Sequence, residues 1–568
     1  MCGIAGIIGE GHKEVLHQML HAQRHRGPDN TSIWNGTNIA LGHNRLSIID
    51  LSDAANQPMH SSTGRFHIVF NGEIYNYKEL RQQYLSDTLL KTHSDTEVLL
   101  ALYEKKGIDM LPLLIGMFAF AIWDSVTETL IAVRDRFGVK PFYYAKQDGQ
   151  YFFASEIKSI WQAGVTKQTN DEVWAGFFAH GMYGQPNQTF WQHIHALPAG
   201  HYAVFEKGNE PKLHQWFRLE EEVQHIKHAQ DETEIVSNYS ALMNDAVALR
   251  FRADVPVGFN ISGGLDSSTL LNAIHNAYPE NDSINAYTFY CNDERYDELP
   301  WVKQLIEHTR KPLHPVLLKV EEIPALAHAM AIQQDEPYGG IPTIAYSQIF
   351  KQARQEGVLV LLDGQGMDEA WGGYDYYYKS GGGIIQGSNA APVLPATLDG
   401  SFASLAVAPQ YKKPFDNDLQ NLQYRDIFYT KFPRALRFND RASMLYSTEL
   451  REPFLDHRLL AYAFALPRHM KFRDGNTKFG LRQLAMRSMQ QQLVLAPKRP
   501  LQTPQREWLR GPLRTWAHDH IATLTGSLNN GWFNAKEVEK GWQHFLDEKT
   551  DNSFFVWQWI NAAMLLQA

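Results

Sequence analysis

Beyond residue 233 the chain changes rhythm, and that change restricts its fold more than any other feature. The apolar runs "VPVGFNI", "INAYTFYC", "LHPVLL" and "GVLVLLD" each read as a strand, and helical pattern such as "YDELPWVKQLIEHTR" separates them. Strands alternating with helices indicate a parallel, doubly wound sheet. Ligands of such sheets sit at the carboxyl ends of strands. The glycine-containing turns "SGGLDSS" and "DGQGMDE" occupy two such ends.

The first 200 residues or so read differently. "FHIVFNGEIYNY", "MFAFAIWD", "TLIAVRD" and "YFFASE" are short apolar runs bounded by Gly, Asn and Asp, with helical pattern only near 12–24 and 77–106. Strands that rarely alternate with helices predict an α+β domain built on antiparallel sheets. A polar, charged stretch follows, so the expected division is a first domain over 1–205, a linker over 206–233 and a second domain over 234–568. The segment 380–409 is rich in Gly, Ala, Ser and Pro and reads as a flexible insertion. After about residue 410 the pattern is mostly helical.

Composition narrows the function classes. The formal net charge of −9 opposes nonspecific nucleic-acid binding, which needs basic surface to displace counterions. Two cysteines, Cys2 and Cys291, provide no disulfide framework, which fits a cytoplasmic protein. "MCGIAGIIGEGH" is too short and too glycine-rich for a signal peptide, and no apolar run reaches the length of a membrane span.

The chemistry-bearing residues fall in two clusters. If Met1 is removed, the Cys2 thiol lies beside its own α-amine. An α-amine has a pKa of about 7.7–8.0, so near neutrality it can take a proton from a nucleophile beside it. The motifs "CGIAGI", "HRGPD", "LGHNRLSIID", "NGEIYNY", "SDTEVLL" and "RDRFGVKPFYY" follow in that order. Together they resemble the glutaminase domain of the class II, N-terminal-nucleophile glutamine amidotransferases, over essentially all of residues 1–200. The resemblance implies that Cys2 attacks the glutamine side-chain amide. It makes the Asn71 side chain and the Gly72 N–H the oxyanion hole, and Arg45, Asn71, Glu73 and Asp95 the glutamine-binding residues.

The second cluster begins at "SGGLDSS". Small residues before a helix leave backbone N–H groups free for an anion, and the helix dipole adds to the attraction. The loop resembles the pyrophosphate loop of N-type ATP pyrophosphatases. That resemblance assigns Ser262, Gly263, Gly264, Asp266, Ser267, Ser268 and Lys478 to ATP and pyrophosphate, and makes Asp266 and Asp368 ligands of Mg²⁺. Gln365 and Asp368 fall at the acceptor site, and "DRASMLYSTELREPFLDHRLL" (440–460) matches the same family.

A class II glutaminase half followed by this ATP half resembles the glutamine-hydrolysing asparagine synthetase family, over nearly the whole chain apart from 380–409. The resemblance implies glutamine, ATP and a small carboxylate as substrates, an acyl-adenylate intermediate, and an internal tunnel for ammonia. It also admits a homodimer. L-Aspartate is the expected acceptor. Family members read SGEGSDE or SGEGADE where this chain has "DGQGMDE", so Gln365 replaces a glutamate and Met367 a small residue. Another carboxylate, such as a uronic acid of surface polysaccharide synthesis, therefore stands as an alternative, as does a relative without catalysis.

Overall fold

The computed structural model describes residues 1–9, 13–279, 281–307, 309–378, 392–489, 491–495 and 502–567. Two six-stranded sheets build the first half. One runs Ile194–Ala196, Tyr143–Gln147, Gln150–Ala154, Gly3–Ile8, Ile39–Arg45, Asn30–Gly36 in order across the sheet. The other runs Lys212–Gln215, His201–Glu206, Thr129–Arg134, Gly116–Asp124, Phe66–Ile74, Met59–His60. The strand pairings in both are antiparallel, as expected.

Alternation along each strand sorts its side chains to opposite faces. Ile4 and Ile8 point between the sheets, where they pack with Val69, Ala119, Ala121 and Phe153. Ala5 and Ile7 point the other way, onto Leu16, Met19 and Leu20 of the helix Lys13–Ala22. On the far side, Ile68, Phe70, Phe118 and Phe120 meet Val98, Leu99 and Leu102 of the helix Asp95–Lys106. Helices thus cover both outer faces of a sheet sandwich, which explains why its strands are apolar on both sides.

Within 206–233, expected as a linker, the strand Lys212–Gln215 pairs with His201–Glu206, and a short helix spans Leu219–Gln224. Aromatic packing draws this stretch onto the sandwich: Trp216 stacks on Phe118 at 6.1 Å, and Phe217 meets Phe137 edge-on at 5.6 Å.

The second half holds a five-stranded parallel sheet in the order Leu313–Leu317, Ala286–Tyr290, Val257–Asn260, Val360–Leu362, Glu449–Arg451. The four expected strands are present, and Glu449–Arg451 adds an edge strand inside the stretch read from sequence as mostly helical. Of the expected insertion, 380–391 lie outside the described residues; 392–409 carry a 3-10 turn at Pro395–Thr397 and a short helix at Gly400–Ala403. Among the described residues no helix is long and apolar enough to cross a membrane.

The two halves share apolar packing. The helix Phe554–Gln567 is buried along most of its length, and Gln558 Nε2 donates to the Phe177 carbonyl at 2.5 Å. Trp174 and Phe178 of the first half meet Trp532 at 5.3 Å and Phe533 at 4.9 Å.

Candidate functional site

Cys2 lies at the head of the central strand of the first sheet, and Asn71, Gly72 and Glu73 lie on the facing sheet. Arg45 ends the strand beside Cys2, and Asp95 opens the helix Asp95–Lys106. The sandwich therefore gathers all six expected residues of the first cluster at one end.

Asn71 reaches across the sandwich, its Oδ1 accepting from the Cys2 backbone nitrogen at 3.0 Å. Its Nδ2 is buried without a partner. A buried donor left unmade is costly, so Asn71 Nδ2 can donate to an acceptor that enters this end of the sandwich. Gly72 is the residue its position requires. It sits at φ +151°, and a Cβ there would lie 2.1 Å from the Met117 carbonyl oxygen.

The Arg45 guanidinium is fixed by the 50–56 loop: Nη1 donates to the Ser52 carbonyl at 2.7 Å and to Asn56 Oδ1 at 2.8 Å, and Nη2 donates to the Asp50 carbonyl. Asp95 Oδ2 accepts from the Ile74 N–H at 2.8 Å. Burial pushes the Asp95 carboxyl up to about 6 and also raises the Cys2 thiol. A neutral, buried thiol needs a base to become a nucleophile.

Met1 is buried, and its ammonium lies 2.6 Å from Glu449 Oε2. In this form the Cys2 nitrogen is a peptide N–H that cannot serve as a base. Removing Met1 would free that nitrogen where it now touches Asn71. Burial disfavours the Glu449 charge, but the Met1 ammonium and Arg451 overcome this and hold its carboxyl down at about 2.

The resemblance over 440–460 assigns no role to the charges of that segment, and the structure gives them one. Arg451 Nε donates to Glu449 Oε1 at 2.5 Å, and its Nη2 lies 3.5 Å from Glu73. Arg26 Nε donates to the Cys2 carbonyl at 3.0 Å. The same guanidinium grips Asp440 of the second half with two bonds, at 2.8 and 3.1 Å. Arg26 Nη1 also reaches Glu156 at 3.0 Å, and Glu156 binds Arg441 at 2.8 Å. The motif 440–460 carried the signal, since six charged residues in it (Asp440, Arg441, Glu449, Arg451, Glu452, Asp456) are almost fully buried.

The second cluster lines a cavity of about 470 Å³ at the carboxyl ends of the parallel strands. The turn after Val257–Asn260 leads into the helix Leu265–Ala277. Ser267 and Ser268 donate to the Gly264 carbonyl at 3.1 and 2.7 Å, which fixes the loop around the helix start. The Gly263 N–H donates to Glu298, which lines the same cavity, at 3.2 Å. Lys478 Nζ lies 2.6 Å from both Asp266 and Asp368. Burial opposes the Lys478 charge, yet the two carboxylates raise its pKa. Gln365 and Asp368 line the cavity, and Glu369, pushed up to about 7 by burial and the neighbouring Asp368 charge, lines it too. Eight of the nine expected residues of the second cluster line this cavity; Ser268 does not, because it is buried in the first turn of the helix with its hydroxyl turned back onto the Gly264 carbonyl.

One strand touches both places. Glu449 and Arg451 face the Cys2 end, while the Arg451 carbonyl accepts from the Asp363 N–H at 3.0 Å, where the Gln365 turn begins.

Comparison with known proteins agrees with this two-centre layout. A glutamine amidotransferase domain family matches residues 1–217, and the asparagine synthase family matches residues 238–567. A putative asparagine synthetase 2, glutamine-hydrolyzing, of Methanocaldococcus jannaschii is 34% identical over 404 residues, covering 66% of this chain and 76% of its own length. Asparagine synthetase 1, glutamine-hydrolyzing, of Bacillus subtilis is 28% identical, covering 98% and 95%. A Gibberella zeae protein named amidase chry2 is 26% identical, covering 93% and 92%. With its glutaminase-type sandwich joined to a parallel-sheet nucleotide half, this chain belongs to the glutamine-dependent asparagine synthase family, ATP-using carbon–nitrogen ligases.

Proposed function

We propose that the protein transfers ammonia from glutamine to a carboxylate activated by ATP, and that the carboxylate is the side chain of L-aspartate. The observation that carries the two-centre reading is the strand Glu449–Arg451, which borders the Cys2 end on one side and the Gln365 turn on the other.

At the first centre, with Met1 removed, the α-amine of Cys2 takes the thiol proton and Sγ attacks the glutamine amide carbon. The oxyanion draws on Asn71 Nδ2 and the Gly72 N–H, preorganised donors that need no rearrangement. The amine returns the proton to the amide nitrogen, which departs as NH₃, leaving a γ-glutamyl thioester that water hydrolyses to glutamate. Arg45 pairs with the glutamine α-carboxylate in a fork geometry. Asp95 and Glu73 take the α-ammonium side.

At the second centre, Ser262, Gly263, Gly264, Ser267 and Ser268 surround the pyrophosphate portion of ATP, and Lys478 offsets phosphate charge. An acceptor carboxylate oxygen attacks the α-phosphorus and pyrophosphate leaves. Ammonia then adds to the acyl carbon of the adenylate, and AMP departs with the bonding electrons. Asp266 and Asp368 converge on a single cation in Lys478, a donor pair that also suits Mg²⁺ completed by phosphate oxygens and water. Bound there, Mg²⁺ would neutralise phosphate charge.

A second acceptor reading, a carboxylate other than aspartate such as a uronic acid, is favoured by Gln365. Its amide lines the cavity and cannot take a proton, and one full-length relative carries the name amidase rather than asparagine synthetase.

The test is pyrophosphate release with ATP, Mg²⁺ and glutamine, run with aspartate and with a panel of uronic acids, with products identified by mass. Aspartate-dependent release with asparagine formed supports the first reading. Release only with a sugar acid moves the function to the second. Cys2→Ala should abolish glutamine use and spare synthesis from free ammonia; loss of both would sink the two-centre scheme.

A further inference from the structure

A second cavity, of about 360 Å³, lies between the two halves and belongs to neither centre. Its first-half wall comes from Arg134, Phe137 and the turn around Tyr183. Its second-half wall comes from Tyr411, Phe428 and Tyr429 with Arg434 and Arg437.

The charge at this cavity does not balance. Three guanidinium groups line it against a single carboxylate, Glu336. Arg437 holds that carboxylate at 2.7 Å, and the other Glu336 oxygen accepts from the Phe190 N–H at 3.1 Å. Arg134 is satisfied by carbonyls alone, those of Lys140, Leu197 and Gly138 at 2.7–2.9 Å. Arg434 makes no hydrogen bond or ion pair among the described residues. Two positive charges therefore face the cavity without an anion, and low-dielectric walls concentrate their field.

The walls are flat. The Tyr183 ring lies 5.4 Å from the Arg437 guanidinium, the Tyr411 and Tyr429 rings are 5.5 Å apart, and Phe137 and Phe428 are 6.4 Å apart. The Tyr411 hydroxyl and Arg437 Nε are buried with no partner, so polar atoms are also held in reserve. Ring faces beside unpaired guanidinium groups recognise a flat ring that carries a negative charge. The volume is that of an ordinary small-molecule site.

We propose that this cavity binds a small organic anion built on a flat ring, and that the bound anion acts as an effector of both centres. The second part rests on the helix Lys431–Met444. Arg434 and Arg437 face the new cavity. Ala435, Phe438 and Asn439 line the 470 Å³ cavity of the synthetase half. Asp440 and Arg441 carry the ion pairs to Arg26 and Glu156, beside Cys2. A ligand that reorients this helix acts on all three places, and the coupling is reciprocal for binding.

The experiment uses the full chain with saturating Mg²⁺ and ATP, which occupy the other cavity, and titrates 2-naphthyl phosphate by calorimetry. The expected result is one site per chain, weakened tenfold or more by replacing the probe with uncharged 2-naphthol or by Arg434→Ala. Met182→Trp, which puts a larger side chain on the cavity lining, should weaken or remove binding. Thermal melts and basal glutaminase turnover without probe check that both variants are folded. No binding to the wild type, or binding indifferent to both variants, overturns the site. In parallel samples supplied with glutamine and, on the proposed function, aspartate, the probe should change the ratio of glutamate to pyrophosphate released, in the wild type and not in Arg434→Ala; binding that leaves this ratio fixed overturns the effector role.

Discussion

The grip of Arg26 on Asp440 should set how well the glutaminase centre works, although Asp440 belongs to the other half. Both groups are almost fully buried, and they share two charge-assisted bonds at 2.8 and 3.1 Å. Breaking a buried pair from one side costs about 3–5 kcal/mol, because a desolvated charge is left behind. Asp440→Asn keeps the shape, and Arg26 keeps Glu156 and the Cys2 carbonyl, so the lower end, about 3 kcal/mol, applies. If half of that appears in the positioning of Cys2, glutamine-dependent kcat/KM falls roughly tenfold, since 1.4 kcal/mol is a factor of ten. Ammonia-dependent synthesis bypasses Cys2 and should change less than about threefold. A double-mutant cycle with Arg26→Gln isolates the pair and should return a coupling of about 1–1.5 kcal/mol in glutamine-dependent kcat/KM. Additive effects, or equal losses with glutamine and with ammonia, would refute the idea that this pair positions Cys2 and leave it a mere tie between halves.

Three further outcomes are expected. Gly72→Ala forces a Cβ to 2.1 Å from the Met117 carbonyl, so glutaminase activity should fall at least a hundredfold by kinetics while ammonia-dependent turnover survives in the folded fraction. The Asp95 carboxyl titrates at about 6 in the free protein and must be ionised to hold an ammonium, so the KM for glutamine should rise about tenfold per pH unit below 6. Its sign follows from the ionised form being the binding form, and Asp95→Asn should give a weak but pH-flat KM. Gln365→Glu should improve aspartate use measured as asparagine formed; no change removes Gln365 as the determinant of the acceptor.

Much of the architecture was legible because it follows from local pattern. Alternating apolar residues mark the sandwich strands, and glycine turns after apolar runs mark the parallel-sheet ends. The six residues of the first cluster were legible as motifs, and the structure brings them together. What stayed hidden is long range. Asp440, 414 positions from Arg26, looks in sequence like any charge on a helix, and only folding shows that it is buried. Glu449–Arg451 is lost in the mostly helical stretch because three residues carry no periodicity; partnership with Val360–Leu362 makes it a strand. Residues 206–233 look like a linker by charge, but two aromatics, Trp216 and Phe217, outweigh that composition. Lys478 was expected beside phosphate, and its grip on Asp266 and Asp368 could not be foreseen without the fold.

The helix Phe554–Gln567, packed against Phe177 of the first half, bears on how the protein comes into being. A nascent chain extends its sandwich early, but the groove around Trp174 and Phe178 stays open until residues beyond 530 have been synthesised. For most of translation, that groove is an exposed aromatic surface of the kind chaperones bind and aggregates recruit. A chain cut short before residue 530 would hold every strand of the sandwich and still lack the aromatics that seal it. Docking of Trp532 and Phe533 thus marks the point in synthesis at which the sandwich closes, long after its own strands have been made.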